Sequence, residues 1–301
     1  MICKAQTLSP SRERENDPYT QGWTPELMKG KQLMELKTVT LAYFSPTGTT
    51  KEVLKGIAGA IGADSIDHID LTRPDILSEE IPEIKDGLVI LGAPVYAGRI
   101  PPEAEERFRK LKGNDILAVV IAVYGNREYE DALVELRDIA VQQGFKPIAG
   151  GVFIGEHSFS TEKMPIAAGR PDTQDIEIAR DFGQKIALKI KEIEKPSDIT
   201  ELPVPGNVPY RERVHHDNIP PETDNKYCMK CQACVGACPT AAVTFNGEVI
   251  TDADSCILCC ACVKYCPTGA RQLHNPMIER ILERLLSRAA NERKEPEIFI
   301  S

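Results

Sequence analysis

Residues 228–267 read CMKCQACVGACPTAAVTFNGEVITDADSCILCCACVKYCP and contain the same cysteine pattern twice. In each copy two residues separate the first three cysteines from one another, three residues separate the third from the fourth, and a proline follows the fourth. Thiolates at this doubled spacing are typical of ligands to two iron–sulfur clusters of the cubane type. The sequence therefore predicts a metal-cluster domain in this stretch.

Each copy of the pattern is predicted to supply ligands to both clusters. The three closely spaced cysteines of one copy turn inward onto one cubane, and the fourth, placed before a proline, points towards the other. We call the two resulting groups the first and the second cysteine set. The first set, for one [4Fe–4S] cluster, is Cys228, Cys231, Cys234 and Cys266. The second set, for the other [4Fe–4S] cluster, is Cys256, Cys259, Cys262 and Cys238.

These cysteines resemble those of a bacterial two-cluster ferredoxin, and the resemblance, which covers about residues 225–272, implies a small α+β domain. A zinc site is the first alternative, but zinc usually takes two separated C-x₂-C pairs, without a third and fourth cysteine at fixed offsets. Disulfides are the second, but residues 1–4 open no secretory signal. Cys260 would break the spacing, so we predict a small buried residue without a ligand role.

Composition indicates an ordinary globular chain. The 301 residues exceed one typical domain, with 42% hydrophobic and 27% charged residues. No apolar run approaches the ~20 residues that cross a bilayer, so no membrane span is expected. Net charge is −9 and no block is strongly basic, which argues against nucleic acid and anionic membranes as partners. Nine of the ten cysteines lie within residues 228–266, which favours a reduced, cytoplasmic location.

The chain divides by pattern into five segments. Residues 1–37 carry no strong pattern and form an N-terminal extension to which we assign no function. Residues 38–195 alternate strand and helix patterns, 196–225 form a proline-rich linker, 226–274 hold the cysteines, and 275–301 form an amphipathic helix and a tail. An extended linker of this length reaches ~100 Å, so the linker alone does not fix the spacing of the domains.

Residues 38–195 have the pattern of a doubly wound α/β domain. Five apolar runs are separated by helical repeats, which predicts five parallel strands. The predicted strands are Val39–Phe44, Ser65–Ile69, Gly87–Leu91, Ile116–Val123 and Pro147–Ile154. The fourth run is unbroken, as in a strand buried on both faces. We expect the order 2-1-3-4-5, in which a ligand binds outside the carboxyl ends of strands 1 and 3.

The loop after the first strand has the composition of a phosphate site. Its backbone N–H groups and the start of the next helix favour an anion, and its hydroxyls can complete a cage. No lysine follows as in an ATP-binding loop and no G-x-G-x-x-G follows the strand, so a monophosphate fits better than ATP or NAD. A plain turn is the alternative. The loop runs from Ser45 to Thr50, with hydroxyls on Ser45, Thr47, Thr49 and Thr50 around Gly48.

Two further loops follow the third and fourth strands, APVYAGR at residues 93–99 and YGNR at residues 124–127. Together with residues 45–50 they resemble the loops with which flavodoxins hold FMN, and the resemblance covers about residues 38–195. It implies a flavodoxin-like five-stranded sheet, followed here by the small ferredoxin domain, with Tyr96 and Tyr124 flanking the isoalloxazine ring. The ring-binding residues that it implies are Pro94, Val95, Tyr96, Ala97, Gly98, Tyr124, Gly125 and Asn126.

Other interpretations of these loops stay open. Tyr96 and Tyr124 could be aromatic side chains of the core. Arg99 and Arg127 could contact the flavin or an anionic acceptor, although solvated arginines are commoner. His157, in the loop after the fifth strand, could face the ring or a docking surface, although a hydrogen-bonded loop histidine is commoner.

The whole arrangement is similar to the flavodoxin–ferredoxin fusion proteins of anaerobic bacteria and archaea. Clusters pass one electron at a time and a flavin holds one or two, so we expect a redox relay that exchanges electrons with a partner protein. One alternative is an FMN-dependent reductase of a small organic acceptor such as a quinone, with an open cavity walled by Arg99, Asn126 and His157. Another is an interaction module with structural clusters and no flavin. The sequence leaves open whether the clusters reach FMN within one chain or across a homodimer.

Overall fold

The computed structural model describes residues 36–81, 83–195, 199–214, 219–289 and 292–301. All of these residues belong to one compact unit. The N-terminal extension predicted for residues 1–37 lies outside the described residues apart from its last two positions.

The first part of the chain alternates strands and helices. In chain order its elements are β1 (Thr38–Tyr43), α1 (Thr49–Ala58), β2 (Ser65–Asp70), β3 (Leu88–Pro94), α2 (Pro102–Phe108), β4 (Ile116–Tyr124), α3 (Ala132–Gln142), β5 (Phe145–Ile154) and α4 (Thr173–Glu192). The cysteine region then adds short elements: β6 (Glu222–Thr223), α5 (Ala233–Gly236), β7 (Val243–Phe245), β8 (Val249–Thr251), α6 (Ala261–Lys264) and β9 (Arg271–Gln272). The last elements are α7 (Pro276–Ala289) and β10 (Glu297–Ile300).

The main sheet has the order β10-β5-β4-β3-β1-β2, and β1 to β5 are parallel. The predicted order 2-1-3-4-5 is therefore confirmed, and each predicted strand is present within three residues of its expected bounds. The sixth strand was not expected. β10 falls in the segment predicted as a tail, and it pairs antiparallel with β5, with Glu297 opposite Val152 and Ile300 opposite Ala149.

Two layers of helix cover the sheet, because alternate side chains of each strand point to opposite faces. On one face Leu54 and Ile57 of α1 pack with Phe182 of α4. On the other face Phe108 of α2 packs with Leu136 of α3. All nine residues of β4 are buried, as the unbroken apolar run predicts for a central parallel strand. The site loops therefore project from a sheet that is packed on both sides.

The described part of the predicted linker, residues 199–214, is attached to the sheet domain, and we call it the strap. Leu202 is buried in the core beside α3. Glu135 of α3 accepts hydrogen bonds from both Arg99 and Arg213 at 2.7 Å. Asp131 accepts hydrogen bonds from the backbone N–H groups of Asn207, at 2.8 Å, and Arg211, at 2.7 Å. The strap is therefore held by specific contacts along its length.

Replacing Asp131 with alanine should loosen the strap. Burial opposes ionisation of this carboxyl, but the N–H groups of Arg211 and Asn207 outweigh burial and lower its pKa. Hydrogen bonds to a charged group contribute about 1.5–3 kcal/mol, so we expect the free energy of unfolding in urea to fall by about 2–3 kcal/mol at pH 7. A lowered pKa stabilises the fold above the unfolded value, so the difference should shrink below about pH 4.

The control for this variant is Glu201→Ala, which removes an exposed partner of Arg137. Exposed ion pairs contribute about 0–1 kcal/mol, so this change should have little effect. Equal stability of the Asp131→Ala protein and the parent at pH 7 would mean that the strap is not held by this carboxylate.

Helix α7 packs between the sheet domain and the cysteine region. Its apolar side chains Ile278, Leu282 and Leu285 form a buried cluster with Ile166, from the loop after β5, and with Ile219, which precedes β6. Beyond the helix the chain returns to the sheet as β10. The cysteine region therefore lies between two segments that are both attached to the sheet domain.

Candidate functional site

The two cysteine motifs adopt the same local conformation. In the first, Lys230 and Gln232 have φ angles of 57° and 61°, and in the second, Leu258 and Cys260 at the equivalent positions have 55° and 57°. Non-glycine residues rarely adopt this left-handed conformation, and it recurs at sites where function requires it. Each motif then enters a four-residue helix, α5 or α6. The repeated turns bring the cysteine side chains of each motif towards a common point.

The first cysteine set lines a small, partly open cavity. All four predicted members, Cys228, Cys231, Cys234 and Cys266, line it. Cys266 comes from the other motif, so the chain brings together the cross-ligating arrangement that the sequence predicts. Cys231 is exposed and Cys228 and Cys266 are half-buried, which places this set near the surface.

The second cysteine set lies deeper. Burial raises the pKa of Cys256 and of Cys262, and it raises the pKa of Cys259 well above its ordinary value. The charges of Cys262, Cys238 and Cys256 raise the pKa of Cys259 further. Cys238 and Cys262 pack in one buried cluster, and Cys256 packs against it. Thiols held this far from ionisation become ligands when a metal centre offsets the charge. Cys238 again comes from the other motif.

The nine described cysteines are all free thiols. Among the described residues, no three His, Cys, Asp or Glu side chains are grouped to hold a single metal ion. Ligands of a cubane bind different irons and therefore stand farther apart than the ligands of one ion, for which Zn–S distances are about 2.3 Å. Cys260 is buried, as expected for a residue without a ligand role.

The loop after β1 fits an anion. Gly48, with φ of 85°, precedes α1 and has no side chain with which to cap the helix, whereas the Ser45 hydroxyl binds an N–H group of the first turn. Thr50 is 1% exposed, and its hydroxyl is buried without a hydrogen-bond partner in the described residues. The Ser45 hydroxyl accepts from the Lys51 N–H at 3.1 Å, and the Ser45 N–H donates to Thr72 Oγ1 at 2.8 Å. A phosphate group would supply the acceptor that Thr50 lacks.

The loop at residues 93–99 lies between the sheet and the second cysteine set. Tyr96 and Arg99 form a tight turn through two backbone hydrogen bonds, with Ala97 and Gly98 at positive φ between them. Gly98 has a φ of 86°, a conformation that residues with a side chain rarely adopt, so glycine is favoured there. Burial of the Tyr96 hydroxyl raises its pKa well above the ordinary value, and the nearby thiols of Cys259, Cys260 and Cys256 raise it further. Tyr96 is therefore a neighbour of the second set.

The loop at residues 124–127 has partners of its own. Tyr124 is buried in the core, where its ring meets Tyr129 edge to face with centroids 5.6 Å apart. Gly125 lies against the His157 ring. Asn126 donates to the Glu292 carbonyl at 2.9 Å and accepts from the Lys294 N–H. Asn126 therefore holds the segment that leads to β10, a contact that no local pattern in the sequence indicates.

The three side chains considered as contacts to the flavin, to an acceptor or to a docking surface, Arg99, Arg127 and His157, also have partners. Arg99 forms an ion pair with Glu135 and donates to the Arg211 carbonyl at 2.7 Å. Arg127 pairs with Glu130. Burial lowers the pKa of His157 to about 4, with smaller contributions from Arg127 and Lys264, so this imidazole is neutral near pH 7. Its Nδ1 accepts from the Phe159 N–H at 3.1 Å.

The cysteine region contacts the same edge of the sheet that carries the loops. A Cβ at Gly48 would lie 3.4 Å from the hydroxyl of Tyr265, the residue before Cys266. Lys264 forms an ion pair with Glu156. The buried guanidinium of Arg107, in α2, donates to the Pro239 carbonyl at 2.6 Å and to the Leu71 and Thr72 carbonyls at 2.8 Å. The second cysteine set and the predicted FMN loops therefore face each other within one chain.

Comparisons with known proteins agree with this division. A family model described as a 4Fe-4S binding domain matches residues 249–272, which include Cys256, Cys259, Cys262 and Cys266. The chain thus joins a doubly wound sheet of flavodoxin-like strand order to a 4Fe–4S binding domain. No match to the sequence is found among the curated proteins.

Similar solved structures cover about half of this chain. A flavodoxin from the domain Archaea is 13% identical, with a TM-score of 0.33, over 51% of this chain and 99% of its own. A flavodoxin from Streptococcus pneumoniae is 19% identical, with a TM-score of 0.34, over 50% and 99%. A Fusobacterium nucleatum flavodoxin, solved bound to flavin mononucleotide, is 14% identical, with a TM-score of 0.34, over 52% and 98%.

No helix within the described parts of the chain combines the length and the apolar composition that crossing a bilayer requires.

Proposed function

We propose that this chain is an electron-transfer protein that binds FMN at the loops after β1, β3 and β4, binds a [4Fe–4S] cluster at each cysteine set, and moves electrons between these cofactors. The observation that carries the proposal is the contact between the cysteine region and the sheet edge that carries the predicted flavin loops. Arg107 of α2 donates to the carbonyl of Pro239, next to Cys238, at 2.6 Å. The hydroxyl of Tyr265, next to Cys266, lies 3.4 Å from the position that a Cβ would take at Gly48. Both kinds of site therefore meet in one chain.

FMN fits the sheet edge better than a larger nucleotide. The unpartnered Thr50 hydroxyl, in the first turn of α1, suits one phosphate group. When bound, FMN supplies a centre that accepts one or two electrons, whereas each cluster accepts one. The residues of this chain hold these centres close together and limit the access of water to the space between them.

The depths of the two cysteine sets suggest an order of transfer. The first set is near the surface, with Cys231 exposed, and the second set is buried beside Tyr96. Electrons would enter or leave through the first set and reach the flavin through the second. The partner would then be a redox protein that docks close to Cys231. A homodimer is not needed for transfer, because the second set and the flavin loops face each other within one chain.

The alternative of an FMN-dependent quinone reductase has less support. It calls for an open cavity walled by Arg99, Asn126 and His157. Arg99 is paired with Glu135, Asn126 holds the segment before β10, and His157 is held within its own loop. These contacts engage the three side chains within the fold itself, which favours the electron relay over the quinone reductase.

The test is the kinetics of internal electron transfer after anaerobic purification with counted iron, sulfide and flavin. Dithionite would be mixed rapidly with the oxidised protein while cluster and flavin absorbance are followed separately. We expect flavin reduction to lag behind cluster reduction, with a first-order rate constant that is unchanged by tenfold dilution of the protein. A rate that falls in proportion to protein concentration would mean transfer between molecules. Protein stripped of flavin is the control for the cluster signal.

A further inference from the structure

Arg271 is a buried cation that contacts both cysteine sets. It is 3% exposed, although arginine is mostly a surface residue. Its Nη2 lies 3.5 Å from the Sγ of Cys262 in the second set. Its backbone N–H lies 3.4 Å from the Sγ of Cys266 in the first set, and its side chain lines the first-set cavity.

We propose that Arg271 raises the reduction potentials of both clusters and makes the two potentials similar. Both clusters can then be reduced at once and hold two electrons for delivery to the flavin. This inference rests on the proposed function, because it requires both clusters to be bound. Arg271 is a positioning and tuning residue in this proposal. It donates to cluster ligands and does not itself carry an electron.

The guanidinium is held in a fixed orientation. Nη1 donates to Thr223 Oγ1 at 2.8 Å, and Nη2 donates to Thr251 Oγ1 at 2.9 Å. The backbone of Arg271 pairs with that of Thr223 across the β6–β9 ladder. Nε is buried and donates to no acceptor among the described residues. Two threonine hydroxyls thus fix the cation, and one N–H group remains in a site that borders the cysteine cavity.

The charge balance explains the expected effect. A [4Fe–4S] core with four thiolates carries net negative charge, and reduction by one electron adds one more negative charge without breaking a bond. Hydrogen bonds to the sulfurs and nearby charge set the potential of such a cluster. A buried positive charge interacts more strongly than one in water, and N–H groups of a cation form the stronger kind of hydrogen bond to an anion. Arg271 therefore favours the reduced form of each cluster and offsets the repulsion between two reduced clusters.

The experiment compares Arg271→Gln, which removes the charge and keeps hydrogen-bonding groups, with Arg271→Lys, which keeps the charge. Lys230→Gln is the matched control, because it removes an exposed charge within the first motif. Iron and sulfide are counted first, and only protein with both clusters is titrated with dithionite and followed by electron paramagnetic resonance. We expect Arg271→Gln to lower the equilibrium constant for reducing the cluster at the second cysteine set at least tenfold, which is about 59 mV for one electron.

The other variants complete the test. Arg271→Lys should have a reduction potential close to that of the parent protein. Lys230→Gln should change the reduction potential little, because water screens an exposed charge. Unchanged potentials in fully loaded Arg271→Gln protein would overturn this inference and leave the relay intact. A parent protein with one cluster or none would instead overturn the proposed function.

A second measurement needs no substitution. Protein labelled with ¹⁵N-arginine is reduced with dithionite, and pulsed paramagnetic resonance is used to detect nitrogen coupled to the unpaired electron. A nitrogen 3.5 Å from a ligand sulfur should give a resolved coupling. Spectra without an arginine coupling in cluster-loaded protein would overturn the proposal, because the guanidinium would then lie away from the clusters.

Discussion

The Cys238→Ser protein should retain about half of the iron and sulfide of the parent, because one of its two [4Fe–4S] clusters should be lost. Cys238 belongs by sequence to the first motif, but its side chain packs in one buried cluster with Cys262 of the second set. Serine supplies a harder oxygen ligand, which suits iron–sulfur clusters less well than thiolate. The second set should therefore empty, and electron transfer from the remaining cluster to the flavin should slow by orders of magnitude.

The cysteines set free identify the cluster that is lost. Anaerobic alkylation followed by mass spectrometry should label Cys256, Cys259 and Cys262 in the Cys238→Ser protein, and the mirror variant Cys266→Ser should expose Cys228, Cys231 and Cys234. Cys260→Ser is the control, because this buried residue has no predicted ligand role and its replacement should leave the metal content unchanged. Labelling of Cys228 and Cys231 in the Cys238→Ser protein would refute cross-ligation.

Thr50→Val should have opposite effects on flavin binding and on the stability of the flavin-free protein. The Thr50 hydroxyl is buried without a partner in the described structure. If it donates to the FMN phosphate, its loss removes a hydrogen bond to a charged group worth about 1.5–3 kcal/mol, and the Kd should rise about 10- to 150-fold. Without flavin, the valine removes an unsatisfied buried hydroxyl and should stabilise the fold by about 1 kcal/mol.

The measurements are FMN fluorescence titration and thermal unfolding with and without FMN. Thr40→Val is the matched control, since Thr40 is also buried but lies inside β1, away from the loop. It should leave the FMN affinity unchanged. The double variant Thr47→Ala with Thr50→Ala should bind FMN more weakly still. Parent-like affinity in both Thr50 variants would place the phosphate elsewhere in the chain.

The parallel sheet could be predicted from the sequence because each strand is a local apolar run. The residues of β4 form one unbroken run, and their burial on both faces follows from the parallel order. The cysteine sets were predictable for a related reason, since their spacing is local and repeated. Strand β10 was missed because Glu297–Ile300 is a short run, and its pairing with β5 bridges more than 140 residues of sequence.

The loops were only partly predictable. The phosphate loop follows from local composition, but the partners of Tyr124 and Asn126 do not, because Tyr129, Glu292 and Lys294 reach them only after folding. Whether Tyr124 also flanks a flavin stays a prediction. No local pattern in the sequence indicates that Arg271 is buried beside the cysteines. A cation is expected at the surface by default, and its burial becomes visible only when β6, β8 and the second motif are assembled around it.

The attachment of the cysteine region on both of its sides has a mechanical consequence. A domain that is held by one flexible linker occupies a volume that grows with the length of the linker. Its reaction rate is then an average over all the positions that it occupies. Here the strap is bonded to α3, and the chain beyond α7 is bonded to β5. Moving the cysteine region away from the sheet domain would require β10 to separate from β5. The proposed relay would therefore work at a fixed spacing between the cysteine region and the flavin loops, without the movement of one domain relative to the other.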